Sequence, residues 1–274
     1  MKVGFIGYGS MGSMLLNQFI LSGALRPDEI VVFNRTVTKL HGLRESYPTI
    51  DIAADVRDVA TKAKYIFLCT KALDMLPILE ELKGYMTPDT HIISIAGAIQ
   101  ASDISKCTGT AVSKLIPAVT SEVQDGVSLL YHEAAVPKED AAIIESLLSR
   151  ISRVKLLKED DFALITEITS CGPGLIAGIF REFLESAVRS SEVYNRETLQ
   201  DLLIRTLYGT AKLFLEKELT FDETIGRVAV KGGTTEEGVL VLEEQLPRVF
   251  DQMFQSMLYK RKAADKKIED ILSC

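Results

Sequence analysis

The first dozen residues restrict this chain more than any other stretch. Lys2–Ile6 alternates into a short apolar strand, Gly7-x-Gly9-x-x-Gly12 follows at once, and Met11–Ser22 repeats apolar residues at helical spacing. Each glycine has its own physical use. Gly7 permits a tight turn, Gly9 lets a ligand approach the backbone, and Gly12 lets the helix pack closely on the strand. Strand, glycine turn and helix in this order form a dinucleotide-binding fingerprint. The unpaired N–H groups and positive dipole end of the first helix then face a pyrophosphate.

The end of the second strand narrows the cofactor. An NAD site carries Asp or Glu about twenty residues beyond the fingerprint, where it binds the ribose 2′-hydroxyl. Here the strand Glu29–Phe33 ends in Asn34-Arg35-Thr36. An amide, a guanidinium and a hydroxyl suit a 2′-phosphate, which Arg can bind bidentately and a carboxylate would repel. NADP(H) is therefore expected over NAD(H). The competing reading is that Arg35 is a solvated loop cation.

Composition excludes several other classes. A length of 274 residues suggests two domains, and 47% hydrophobic with 25% charged residues describes a soluble globular protein. A formal charge of -7 provides no electrostatic footprint for nucleic acid. Met1–Leu16 has one Lys, is broken by four glycines and lacks a small-residue cleavage site, so neither a secretory leader nor a membrane span is expected. Cys69, Cys107, Cys171 and Cys274 form no CxxC pair and read as reduced thiols in a cytoplasm. His41, His91 and His132 are isolated in sequence and suggest no metal site.

Strand and helix signals alternate through the first half. Helices are expected near Thr38–Ser46, Asp55–Lys62, Leu73–Leu82 and Lys138–Arg150. Strands are expected at Asp51–Ile52, Tyr65–Thr70, His91–Ile95, Ala111–Ile116, Val127–Tyr131 and Val154–Leu157. This alternation predicts an α/β domain of Rossmann type over residues 1–158, with a parallel doubly wound sheet. From residue 159 to 274 the period is helical, over Asp160–Glu167, Gly174–Ser191, Arg196–Glu216 and Thr235–Met257. The wide apolar stripes of this all-α part predict a homodimer or a higher homo-oligomer. The Lys-rich tail Tyr259–Cys274 reads as a solvated terminal helix, with a partner-binding element as the alternative.

Three further segments carry chemistry. Cys69-Thr70-Lys71 ends a strand at the edge of the sheet where a nicotinamide is expected. Thr169–Gly174 (TSCGPG) and Lys231–Thr235 (KGGTT) each open a helix with glycines. Such helix starts can offer N–H groups to a carboxylate, or can be ordinary capped junctions. Together with the fingerprint, these segments resemble the pyrroline-5-carboxylate reductase family. Gly7–Gly12 is similar to its GxGxMG loop, Thr70-Lys71-Ala72 to its VKP segment, and Ser94-Ile95-Ala96-Gly97 to its small-residue strand end. Val230–Thr235 is similar to its SPGGTT signature.

The resemblance implies a Rossmann domain, a helical domain that dimerises by interleaving, and NADPH-dependent reduction of pyrroline-5-carboxylate or a related cyclic imine. It implies cofactor contacts at Gly7, Gly9, Ser10, Met11, Gly12, Cys69, Lys71 and Ala96, beside Asn34, Arg35 and Thr36. It also implies a small anionic substrate near Pro117, Lys231, Gly232, Gly233, Thr234 and Thr235. The N–H groups around Gly233–Thr235 and the Thr235 hydroxyl would grip its carboxylate. The departures from the family pattern fall in the substrate half. Ile116-Pro117-Ala118-Val119-Thr120 stands for MPNTP, Val230-Lys231 for Ser-Pro, Cys171 for Ser, and Glu236-Glu237 for small or apolar residues. In these features the chain resembles a divergent late-competence (ComER) branch, which implies the alternative of a cofactor-binding regulatory protein with little proline synthesis. Glu236 and Glu237 read either as first-turn acids on a helix dipole or as pocket acids. Lys231 reads as a ligand contact or a solvated cation.

Overall fold

Apolar runs of four to seven residues, too short for helices and bounded by turn residues, become buried strands. A computed structural model describes residues 2–272, so Cys274 lies outside the described residues. In chain order the first half forms β1 (Val3–Ile6), α1 (Ser10–Leu21), β2 (Ile30–Phe33), α2 (His41–Ser46), β3 (Asp51–Ile52), α3 (Val56–Lys62) and β4 (Tyr65–Leu68). It continues with α4 (Ala72–Leu82), β5 (His91–Ser94), α5 (Ala101–Thr108), β6 (Ala111–Ile116), β7 (Gly126–His132), α6 (Lys138–Ser149) and β8 (Ser152–Leu156). The strands make one sheet in the order β3-β2-β1-β4-β5-β6-β7-β8. All neighbours are parallel except β6 and β7, which run antiparallel. The order reverses between β1 and β4, and a crevice opens at the carboxyl ends of those strands.

Helices cover both faces. On one side Phe5 stacks on Phe67 with centroids 5.1 Å apart, and Phe19 of α1 meets Phe67 edge-on at 5.6 Å. Asp55 caps α3 by accepting the Asp58 N–H at 2.8 Å. The helix α5 was not anticipated, because it is short and polar; only Ala101 and Ile104 of its eight residues are buried.

The second half continues as α7 (Phe162–Thr169), α8 (Gly172–Ser190), α9 (Arg196–Glu216), α10 (Phe221–Val228) and α11 (Thr234–Leu272). The chain divides into two compact units. One runs to Pro173 and resumes at Leu258; the other is Gly174–Met257. This differs from a boundary at 158/159, for a physical reason. Phe162 of α7 is buried with Ile116 and Leu129 of the sheet domain, so the first helix after residue 158 belongs to that core. The tail likewise departs from a solvated helix. Ile268 is buried in the sheet domain's core, and the Arg261 guanidinium holds the buried Glu167 carboxylate of α7 at 2.6 Å.

Among the described residues, Glu159–Ser190 is long and apolar enough, by length and composition, to cross a membrane. It is two helices, however. The break between them is fixed by Ser170 Oγ donating to the Pro117 carbonyl at 2.9 Å, and α8 carries Arg181, Glu182, Glu185 and Arg189. Charges repeated along one helix suit a protein-covered helix better than lipid.

The amino-terminal ends of β4 and β5 hold a buried polar network. Tyr65 donates to Asp140 at 2.6 Å, and the Lys64 ammonium pairs with the same carboxylate at 2.7 Å. The Ser113 hydroxyl bridges His91 Nε2 and His132 Nδ1, each at 2.6 Å. Burial, with His132 as a neighbour, pushes His91 down to about 4, against a weak opposing pull from Asp140. A buried histidine with a lowered pKa is neutral in the fold, whereas the unfolded chain takes up a proton below pH 6.5. Its stabilising contribution is therefore complete above pH 6.5 and is lost as pH falls toward 4. The expected loss is about 2–3 kcal/mol between pH 7 and pH 4.5. Denaturant unfolding of wild type and His91→Gln checks this: the variant should show a flatter pH dependence over that interval, and an identical slope would refute the assignment.

Candidate functional site

At the crevice, the main chain is held so tightly that side chains are excluded. Gly7 has φ +103°, and a Cβ there would lie 2.8 Å from the Cys69 carbonyl oxygen. A Cβ on Gly12 would collide with the Gly7 carbonyl. Gly9 differs: a Cβ there would meet nothing, so the chain's own packing does not account for this glycine. The Gly7 N–H donates to the Phe33 carbonyl at 2.9 Å, and the Tyr8 N–H to Asn34 Oδ1 at 2.8 Å. The Asn34 amide also donates to the Thr36 carbonyl at 2.9 Å. Asn34 thus ties the glycine turn to the end of β2.

A cleft of about 590 Å³ runs along this edge. It brings together Gly7, Gly9, Asn34, Arg35, Thr36, Cys69 and Lys71 of the residues expected at the cofactor. Ser10, Met11 and Gly12 form the first turn of α1 beside it. Ala96 is buried in the core, with its N–H 3.3 Å from Ser94 Oγ, and is not among the cleft's lining residues. Sequence reasoning missed Lys39, Asp74 and Glu81, which also line the cleft. Lys39, four residues after Arg35 in a 3₁₀ turn, was a readable second cation. Asp74 and Glu81 come from α4 and gave no local signal.

The cleft suits an anionic, hydrogen-bonding ligand. The α1 amino end has no side-chain cap and no acid in its first turn, which leaves its N–H groups and dipole to an outside anion. Thr70 Oγ1, at the cleft wall, is buried without a hydrogen-bond partner. Its unmet demand fits a ligand rich in donors and acceptors. Cys69 supplies no thiolate, because burial pushes its thiol up to about 12.

The glycine loop lies in the second unit, between α10 and α11. Gly232 has φ +75°, and its N–H donates to the Glu236 carboxylate at 2.6 Å. The Gly233 N–H donates to the Val230 carbonyl at 2.9 Å. Both glycine N–H groups are thus spent on forming the turn, which corrects the expectation that Gly233 is free to grip an anion. Thr234 and Thr235 open α11, where position alone leaves N–H groups without helical acceptors. Lys231 and Thr235 are exposed, and Glu236 is half-buried. Pro117 is buried in the first unit with its carbonyl occupied by Ser170.

Comparison with known proteins sets its family boundary at residue 159, before the second compact unit begins at Gly174. Residues 159–264 match the family model for pyrroline-5-carboxylate reductase dimerisation, and residues 2–97 that for NADP oxidoreductase, coenzyme F420-dependent. The chain is 36% identical to pyrroline-5-carboxylate reductase 3 of Bacillus subtilis (strain 168) over 97% of its length and 98% of the relative's. It is 31% identical to ComE operon protein 4 of the same organism over 93% of each chain. A solved pyrroline-5-carboxylate reductase from Coxiella burnetii superposes with TM-score 0.83 at 27% identity, covering 98% of this chain and 97% of that one. The Plasmodium falciparum enzyme, solved with NADP bound, has the same fold at TM-score 0.83 and 18% identity, over 98% and 97% of the two chains. With a glycine turn built for a dinucleotide, a helical half of the dimerisation type and a relative alike over nearly its whole length, the chain belongs to the pyrroline-5-carboxylate reductase family.

Proposed function

We propose that the protein is an NADPH-dependent reductase of pyrroline-5-carboxylate, or of a closely related anionic cyclic imine. The observation that carries this reading is the cleft: a free helix amino end, an orphaned Thr70 hydroxyl and the cations Arg35 and Lys39 line one crevice in a chain of this family. When bound there, the cofactor supplies a hydride. The α1 first turn with Gly7, Gly9, Ser10, Met11 and Gly12 holds the pyrophosphate, and Asn34, Arg35 and Thr36 hold the 2′-phosphate. Cys69 and Lys71 bound the same cleft, while Ala96 is buried in the core outside its lining.

The remaining chemistry asks for little from side chains. A protonated cyclic imine is already an electrophile, so reduction needs alignment more than a strong acid. His91 and His132 are accordingly committed to the buried network on the sheet. Thr235, through its hydroxyl and N–H, grips the substrate carboxylate together with the Thr234 N–H; Gly232 and Gly233 shape the turn and Lys231 adds a cation, while Pro117, in the first unit, has its carbonyl held by Ser170.

The second unit argues for a homodimer. Ile176, Ile179 and Phe183 of α8, Leu202 and Tyr208 of α9, and Phe221 and Val228 of α10 are large apolar residues left exposed in one chain. Neither α9 nor α10 buries a single residue. A soluble monomer rarely tolerates so much apolar surface. The free thiols of Cys69, Cys107 and Cys171 suit a cytoplasmic setting.

A second reading, a cofactor-binding regulatory protein with little proline synthesis, is favoured by Glu236. Its carboxylate already sits on the glycine loop, where it adds negative charge close to the anion-gripping N–H groups.

Four outcomes are expected. NADPH oxidation with pyrroline-5-carboxylate should proceed at enzyme-like rates, and tight NADPH binding without turnover would favour the second reading. Arg35→Asp should weaken NADPH binding far more than NADH binding, whereas equal losses would remove the 2′-phosphate assignment. Thr235→Ala should raise KM for the imine acid about tenfold, as for a lost charge-assisted hydrogen bond, with NADPH affinity unchanged. Light scattering at micromolar concentration should report at least a dimer; a stable monomer would count against the interface.

A further inference from the structure

The acid that NAD sites carry at the end of the second strand is absent here, yet the cleft is not free of acids. Asp74, in the first turn of α4, reaches across to the other wall, and its Oδ1 lies 3.6 Å from Arg35 Nη1. Glu81, two turns further along α4, lines the same cleft, as does Lys39 on the Arg35 side. Both members of the ion pair face water: the Arg35 side chain is 86% exposed and that of Asp74 48%. An exposed pair of this geometry stabilises a fold very little. Its position, at the strand end expected to discriminate a 2′-substituent, is where it can matter.

Any group that docks on the Arg35 guanidinium comes close to the Asp74 carboxylate, since the two are already almost in contact. A 2′-phosphate there must displace Asp74 from Arg35 and then sit beside its negative charge. A ribose 2′-hydroxyl carries no charge and can donate a hydrogen bond to a carboxylate. We propose that Asp74 sets the choice between NADP(H) and NAD(H), opposing a 2′-phosphate at Arg35 and accommodating a 2′-hydroxyl. The proposal rests on the reading that Arg35 receives the 2′-phosphate. Asp74 then tempers that preference from a different element.

Calorimetric titration of the full-length protein with NADPH and with NADH tests this without reference to turnover. Asp74→Asn removes the charge at nearly constant shape, and Asp74→Ser keeps a short polar side chain in the same helical turn. Thermal unfolding reports whether either variant is folded. In both, the ratio of Kd for NADH to Kd for NADPH should rise about threefold to tenfold at low ionic strength, chiefly by tighter NADPH binding. The gain should shrink near 1 M salt, where the Debye length falls to about 3 Å. A ratio that stays constant or falls in both folded variants, while Arg35→Asp still discriminates against NADPH, overturns the role of Asp74. Equal loss of both cofactors in Arg35→Asp overturns the 2′-phosphate reading beneath it, so the two failures are distinguishable.

Discussion

The first turn of the chain is the contact on which the rest of the sheet domain depends. At Gly7 and Gly12 the end of β1, the start of α1 and the end of β4 approach until no Cβ fits between them. This closeness aims the amino end of α1 along the carboxyl edge of the sheet, where its N–H groups and dipole remain uncapped. A looser turn would leave room for a side chain and swing that helix end away from the crevice. Gly9 completes the arrangement by exposing bare backbone on the open side.

Stability and ligand chemistry are kept at opposite ends of the same strands. The carboxyl ends of β1, β2 and β4 form the cleft, while the amino ends of β4 and β5 carry the Lys64–Tyr65–Asp140 and His91–Ser113–His132 clusters. Those clusters satisfy buried polar groups in a sheet covered on both faces and fix which strands neighbour one another. Their histidines are held neutral by burial and have no part in the cleft.

The helical unit obeys a different rule. Its helices are amphipathic enough to form, but within one chain their apolar faces stay largely in solvent. Such an element acquires its core from association, as the dimerisation family it matches indicates. Its glycine loop is tightly built, with both glycine N–H groups used internally and Glu236 folded back on Gly232. The departure from the family pattern at Glu236 thereby becomes part of the loop's architecture: a first-turn acid that also brings charge to the helix start.

The sequence by itself determined what depends on neighbours a few residues away: the glycine turn, the βα alternation, the Asn34-Arg35-Thr36 strand end and the apolar helix stripes. Periodicity and glycine geometry are local, so these were legible, with errors mainly where a segment such as α5 or α10 is only eight residues long. Tertiary structure alone decided which distant groups meet. Asp74 faces Arg35, Glu81 joins the cleft, Arg261 reaches back to Glu167, and Ile268 returns the tail to the first core. It also decided that Ala96 is buried outside the cleft lining and that the Gly233 N–H is already occupied. Ion pairs and buried contacts between residues far apart along the chain depend on where crossovers return each strand and helix, and no local pattern encodes that return.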